Sequence, residues 1–205
     1  MDRSQALLLT DAAFVVAGAP WWHRVLQASP DEVRALLEQR PIKRHKTAIK
    51  RKSLSVPTNQ ALKQGVLKKG MSWFDYGCGR GDDLRLLKQK GFDAAGWDPY
   101  YSPDTPRQKA DIVNLGFVLN VIEDPDERDD TLQAAFKLAK RCLVVATRPK
   151  MQHSFKEYRD GFVTNLDTFQ RFWSQSELKD YLAEQTGVEP KRLGSCCYSC
   201  CREGK

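Results

Sequence analysis

Asp75 is followed by Gly77, Gly79 and Gly81 at alternate positions, in the run Trp73-Phe74-Asp75-Tyr76-Gly77-Cys78-Gly79-Arg80-Gly81. Glycines at this spacing make a tight turn with positive φ and let a ligand approach the backbone closely. The acid beside them sets the sign of that ligand, because a carboxylate suits a cation and repels phosphate. The dinucleotide fingerprint G-x-G-x-x-G does not fit: the third glycine arrives one residue early, and Asp82 stands where that fingerprint wants glycine. A nicotinamide dehydrogenase is disfavoured on that spacing, and a P-loop is excluded because no G-x-x-x-x-G-K-[ST] is present. Two elements must hold the turn. The apolar run Met71 to Phe74 reads as a buried strand, and Asp82-Asp83-Leu84-Arg85-Leu86-Leu87-Lys88 spaces its leucines as a helix does. The helix start adds unpaired N–H groups and a positive dipole end.

Asp-x-Gly-x-Gly-x-Gly resembles the first motif of class I S-adenosylmethionine (SAM) methyltransferases. There the acid and the glycine backbone face the amino-acid part of a cofactor that carries an ammonium and a sulfonium. The resemblance implies cofactor contacts at Asp75, Tyr76, Gly77, Cys78, Gly79, Arg80 and Gly81. Phe92 to Asp98 reads as a second strand ending in an acid, seventeen positions beyond Gly81. Such an acid is placed to accept hydrogen bonds from ribose hydroxyls, so Asp98 and Pro99 join the expected cofactor site. Asp98-Pro99-Tyr100-Tyr101 imitates the D-P-P-Y-like motif of amino-methylating DNA enzymes. Theirs follows strand four and this one follows strand two, so Tyr100 and Tyr101 are read as pocket wall or loop packing.

Ala110 to Pro125 is similar to the strand-four signature of the same enzymes, whose following loop lies beside the transferable methyl. Asn114, Gly116 and Asn120 are therefore candidates for the reaction centre, and Asn114 and Leu115 for cofactor contact. Loop and cap hydrogen bonding is the alternative for both asparagines. Only about a dozen residues separate Asp98 from Asp111, too few for a crossover helix and a further strand. The sheet should lack a full strand three, and the adenine-contacting acid that usually follows it is missing or supplied otherwise. Cys142 to Thr147 reads as a continuous buried strand after an amphipathic helix, Asp126 to Lys140. Strand, helix, strand alternation means a parallel sheet with right-handed crossovers. The last helix is expected to start within 164–168, and Arg148 and Lys150 to stand where they can line a substrate mouth.

Ahead of the turn, Ser29-Pro30-Asp31-Glu32 is a helix start, and Val33, Leu36 and Leu37 give one apolar stripe. Trp21-Trp22 would pack this part onto the main domain. Lys43, Arg44, Lys46, Lys50, Arg51 and Lys52 form the most basic segment: either a solvated linker or an arm for phosphates. A helix from Asn59 to Leu67 should lead into the first strand. The expected division is a helical, basic N-terminal extension, 1–56, and a SAM-binding domain, 57–205. A net charge of +7 favours a polyanionic partner. No apolar run reaches the roughly 18 residues of a membrane span. Asp2 and Asp11 argue against a secretion signal, so a cytoplasmic protein with reduced thiols is expected. Cys196, Cys197, Cys200 and Cys201 cluster near the end, but structural zinc usually takes ligand pairs from separated loops. An edge strand or a disordered end is expected there rather than a metal site.

His45-Lys46-Thr47-Ala48-Ile49-Lys50-Arg51, Leu54-Ser55-x-Pro57, the glycine motif, Gly96-Trp97-Asp98-Pro99-Tyr100 and Val113-Asn114-Leu115-Gly116-x-Val118-Leu119-Asn120-Val121-Ile122-Glu123 agree in order and spacing with one family. Over about residues 42–185 the chain resembles the DNA phosphorothioation-associated methyltransferases of bacteria. The resemblance implies a Rossmann-like class I SAM-dependent methyltransferase fold of the α/β class, with a mostly parallel sheet, whose strand-three region the short Asp98–Asp111 spacing shortens here. It also implies SAM as cofactor, and DNA and DNA-modification or defence proteins as partners. In that family the chain after Gly194 continues as an apolar strand, where this one carries the cysteine cluster. A non-catalytic SAM- or S-adenosylhomocysteine-binding accessory module, or methylation of RNA or a small molecule, are the alternative readings.

Overall fold

A computed structural model describes residues 42–202. The expected N-terminal helix with its Ser29 cap, the Val33, Leu36 and Leu37 stripe and the Trp21-Trp22 contact lie outside the described residues. A 3₁₀ turn, Arg44–Thr47, precedes helix α1, Val56–Lys63. Strand β1 (Ser72–Tyr76) leads through the glycine turn into α2 (Asp82–Gln89), then β2 (Asp93–Trp97) and β3 (Ala110–Gly116). Helix α3 (Pro125–Leu138) is followed by β4 (Ala139–Ala146). Three short strands come next, β5 (Lys156–Tyr158), β6 (Gly161–Val163) and β7 (Phe169–Gln170). Helix α4 (Gln175–Thr186) and strands β8 (Lys191–Gly194) and β9 (Cys197–Cys201) complete the described chain.

The main sheet has the order β2-β1-β3-β4-β9-β8. Its first four strands run parallel and β9 runs antiparallel to β4. The chain passes from β2 directly to β3 on the far side of β1, with no strand or crossover helix between. That is the shortened region expected from the short Asp98–Asp111 spacing, and it leaves β2 at the sheet edge. Alternation along each strand divides the core. Phe74, Val113, Leu115, Leu143 and Val145 face α3 and α4, while Trp73, Ile112, Val144 and Ala146 face α1 and α2.

Four expectations need correction. The α1 helix starts at Val56 rather than Asn59, because Pro57 is pre-set for a first turn. The last helix starts at Gln175, where Ser174 and Glu177 form a capping box, and Phe169-Gln170 is a strand of the small β5-β6-β7 sheet. The cysteine cluster is neither an edge strand nor a disordered end. It forms β9, between β4 and β8, with Cys197 and Cys200 fully buried, because free cysteine behaves as a small hydrophobe. Finally, not all thiols are reduced: Cys142 and Cys201 stand opposite one another in the β4–β9 ladder and form a disulfide.

Helix α3 is anchored below the site. Asp124 caps it by accepting from the Asp126 and Glu127 N–H groups, and Pro125 takes the first position. The buried Arg128 guanidinium donates to both oxygens of Asp160, at 2.7 and 3.0 Å, and to the Ile122 carbonyl at 2.9 Å. That pair fastens the β5–β6 turn to α3.

Candidate active site

The carboxyl ends of β1, β2 and β3 meet at the glycine turn. Asp75 and Asn114 are register partners on adjacent parallel strands, and both point to the α1–α2 face. The Asn114 Nδ2 donates to Asp75 Oδ1 at 2.8 Å. Burial pushes the Asp75 carboxyl up to about 7. The Asn114 hydrogen bond opposes that rise, the negative charges of Asp83 and Asp98 add to it, and Arg51 opposes it. The buried Asn114 Oδ1 has no donor. Gly116 shares this face: a Cβ there would lie 2.9 Å from Asn114 Nδ2 and 3.0 Å from Pro57 Cγ. Only glycine lets α1 close over the amide.

The turn is tied to β2 by its backbone. The N–H groups of Gly77 and Cys78 donate to the Trp97 carbonyl at 2.8 and 3.0 Å. Gly79 N donates to Asp98 Oδ2 at 2.9 Å, and Tyr100 N and Tyr101 N donate to Asp98 Oδ1, each at 2.9 Å. One carboxylate thus holds the glycine turn and the loop after β2 together. Gly77 has φ +89°, and a Cβ there would stand 2.5 Å from Val118 Cγ2. The chain reverses at Phe117, whose φ of +63° is strained for a non-glycine residue. Such strain collects at functional loops. Burial pushes the Cys78 thiol up to about 12, with the charges of Asp75 and Asp98 adding, so it stays protonated and is no nucleophile at neutral pH.

Other expected residues are placed differently. Asn120 turns to the small sheet: its Nδ2 donates to Gln170 Oε1 at 3.0 Å, and its carbonyl accepts from Arg171 N at 2.8 Å. The Leu115 side chain is fully buried among the α3–α4 face residues, so only its backbone can serve a ligand in the turn. The Tyr76 side chain lies on that face too, and its hydroxyl accepts from Arg107 Nη1 at 3.1 Å. Pro99 is exposed. The Arg80 guanidinium lies 4.9 Å from the Tyr101 ring centre, and its Nε donates to the Ala48 carbonyl at 3.3 Å.

The basic segment is no free linker. Residues 43–52 form a strap across the carboxyl ends of the strands. Lys43 Nζ donates to Asp167 Oδ2 at 2.9 Å. Arg44 pairs with Glu123 at 2.8 Å through Nε and grips Glu127 with both terminal nitrogens. The His45 ring stacks on Tyr100 at 4.2 Å, and its carbonyl accepts from the Tyr101 hydroxyl at 3.0 Å. Ala48 Cβ lies 3.2 Å from where a Cβ on Gly79 would be, and Arg51 N donates to Asp82 Oδ2 at 2.8 Å. Beyond the strap, Asp83 accepts from Ser55 N at 2.8 Å and from the Ser55 and Thr58 hydroxyls, which joins the starts of α1 and α2. The sequence reading gave Phe117 and Thr58 no place here, and took Ser55, Val118 and Asp83 only as positions in a motif or a helix. The pairing of Asp83 with Ser55-x-x-Thr58 had one legible signal, a buried-type spacing of hydroxyls beside a helix start. A cavity of about 490 Å³ opens beside the turn, lined by Lys50, Arg51, Lys52, Arg80 and Asp82.

A sheet whose first four strands run parallel, an acid-glycine turn after β1 and an acid closing β2 thus meet at one end of the molecule's main sheet. The family of methyltransferase domains matches residues 46–190. The chain belongs to that family. No curated protein matches it. Among solved structures, this methyltransferase is similar to a magnesium protoporphyrin IX methyltransferase from Synechocystis with bound S-adenosylhomocysteine. They share 16% identity over 84% of this chain and 94% of that one, with a TM-score of 0.51. A 1,6-didemethyltoxoflavin-N1-methyltransferase from Burkholderia thailandensis gives 12% identity, coverage of 95% and 90%, and a TM-score of 0.52. A sugar N-methyltransferase from Streptoalloteichus gives 14%, 75% and 89%, and 0.50. The structural likeness, at identities this low, shows a shared fold alone. The methyl donor of the family is S-adenosylmethionine. The residues present fit it: Asp75 and Asp98 supply carboxylates and Asn114 a buried amide oxygen without a donor, the kinds of acceptor that a ligand's ammonium and hydroxyls need.

Proposed function

We propose that this methyltransferase acts on DNA, in the setting of a DNA phosphorothioation or defence system as its family resemblance implies. The observation that carries the reading is the convergence of Lys50, Arg51, Lys52 and Arg80 on one cavity at the mouth of the glycine turn. The one acid lining it, Asp82, already accepts from Arg51 N and Arg85 Nη2. The remaining positive charge suits a phosphate backbone, which positions a nucleic acid without reading its sequence. Lys46 is exposed on the same strap, whereas the charges of Lys43 and Arg44 are matched by Asp167, Glu123 and Glu127.

S-adenosylmethionine supplies an electrophilic methyl on a sulfonium. Asp75 and the Gly77–Gly81 backbone would hold its amino-acid part and Asp98 its ribose, beside Asn114 and Gly116. The protein's contribution is alignment of acceptor and methyl. Incorporation of label from SAM into DNA, RNA and protein pools tests the reading. The expected result is labelled DNA, falling with salt and with Lys50→Glu plus Lys52→Glu. Absence of label in every pool would sink the enzyme assignment, and unchanged substrate use in the lysine variant would move the acceptor to a small molecule. A second reading, a cofactor-binding accessory module without turnover, is favoured by one observation: the Nδ2 groups of both Asn114 and Asn120 already donate within the protein. Tight S-adenosylhomocysteine binding without transfer to any pool would select it.

A further inference from the structure

A second cavity, of about 390 Å³, lies at the amino ends of β3 and β4, away from the glycine turn. Lys68, Arg141, Lys191 and Arg192 line it, and no aspartate or glutamate does. None of these four cations belongs to an ion pair among the described residues. Cys142 and Cys201, joined as a disulfide, line the same cavity and are half-buried there. The other cysteines of the tail, Cys196, Cys197 and Cys200, are buried. The one bridged pair among the described residues is therefore the pair that a ligand in this cavity can reach.

We propose that the cavity receives a small thiol carrying carboxylates, and that the Cys142–Cys201 disulfide exchanges with it there. Four cations outside any ion pair concentrate an anionic reactant at the mouth of the cavity. They also favour the thiolate form, which is the nucleophile in exchange, and ease departure of the displaced cysteine as a thiolate. In the first step the incoming thiolate sulfur bonds to one cysteine sulfur and the Cys142–Cys201 bond breaks. The other cysteine leaves as a thiolate and takes a proton from water. In the second step a further thiolate attacks the ligand sulfur of the mixed disulfide. The ligand's own disulfide departs, and the last cysteine is released and protonated. Two thiols are oxidised by two electrons in all, and the protein disulfide is reduced by the same two. The bridge pins the last residue of β9 to β4, so its reduction frees that end of the sheet from its covalent tie.

The test uses the full chain, purified without reductant, and follows free Cys142 and Cys201 by alkylation and mass spectrometry. Glutathione, an anion, is compared with cysteamine, a cation, at matched thiolate concentration. Glutathione should react faster by about tenfold or more. That advantage should vanish near 1 M salt, where the screening length is only about 3 Å. It should also vanish in Lys191→Glu plus Arg192→Glu, both exposed on the outer strand β8. The salt series on the unaltered chain gives the answer even if that variant does not fold. Equal rates for the two thiols, or six free thiols in the purified chain, would overturn the proposal.

Discussion

Asn114 donates to Asp75 at 2.8 Å across two adjacent parallel strands whose register sets the two residues side by side. The bond engages one oxygen of a buried carboxylate at the end of β1. It also partly offsets the cost of burying that charge, without removing it.

Asp75 sits near 7, mainly through burial, and a cationic ligand needs it ionised. Binding below that value must first displace a proton. The affinity for S-adenosylhomocysteine, which keeps the ammonium, should therefore fall as pH drops from about 8 to about 5. The limit is about tenfold per pH unit below the Asp75 value. Calorimetric titration across that range checks it, and a flat profile would contradict the assignment.

The same shift has a stability consequence of known sign. The folded Asp75 lies above its ordinary 3.8, so the native state binds the proton more tightly. Its contribution to stability is fully present below the unfolded value and is lost as pH rises through about 7. Asp75→Asn, whose carbonyl oxygen still accepts from Asn114, should stabilise the chain by on the order of 1–3 kcal/mol at about pH 8. Near pH 4 the gain should disappear. Urea denaturation at the two pH values measures this, and cofactor affinity should drop in the same variant.

Asn114 and Asn120 should separate in their effects. Asn114→Leu removes the donor to Asp75 and should weaken S-adenosylhomocysteine binding by about 1–3 kcal/mol. Asn120→Leu leaves Gln170 without its donor. It should lower stability by a similar amount, with cofactor affinity nearly unchanged. Equal losses of affinity in the two variants would place both at the ligand.

Arg44 holds the strap to Glu123 and Glu127 with a side chain one-third exposed. With the strap lying on Gly79, Arg44→Ala should speed S-adenosylhomocysteine release by roughly threefold to tenfold, the discount for solvent screening included. Stopped-flow dissociation reads it directly. An unchanged rate would show that the strap does not guard the turn.

The fold and the acid-glycine turn were legible because their signals are local. Asp75 and its three glycines fall within seven residues, and Asp98 ends the next strand. The short Asp98–Asp111 spacing announced the missing strand for the same reason: chain length bounds what can be built between two points. The capping box at Ser174 and Glu177 was equally local, yet the run of aromatics before it read as helix. Phe169, Phe172 and Trp173 instead pack under the small sheet and α4, since tertiary packing overrides a spacing signal in short segments.

By itself, then, the sequence determined the acid-glycine turn, the acid that closes β2 and the missing strand, all set by neighbours along the chain. Only the tertiary structure decided that Asn114 serves Asp75 while Asn120 serves Gln170, partners 39 and 50 residues away. It alone matched Arg44 to acids 79 and 83 residues on, which draws a basic segment from solvent onto the turn. It alone paired Cys142 with Cys201 across 59 residues and made a strand of the cysteine tail. Contacts of that reach depend on sheet register and on which face each side chain takes. Spacing along the chain does not carry that information until the strands have paired.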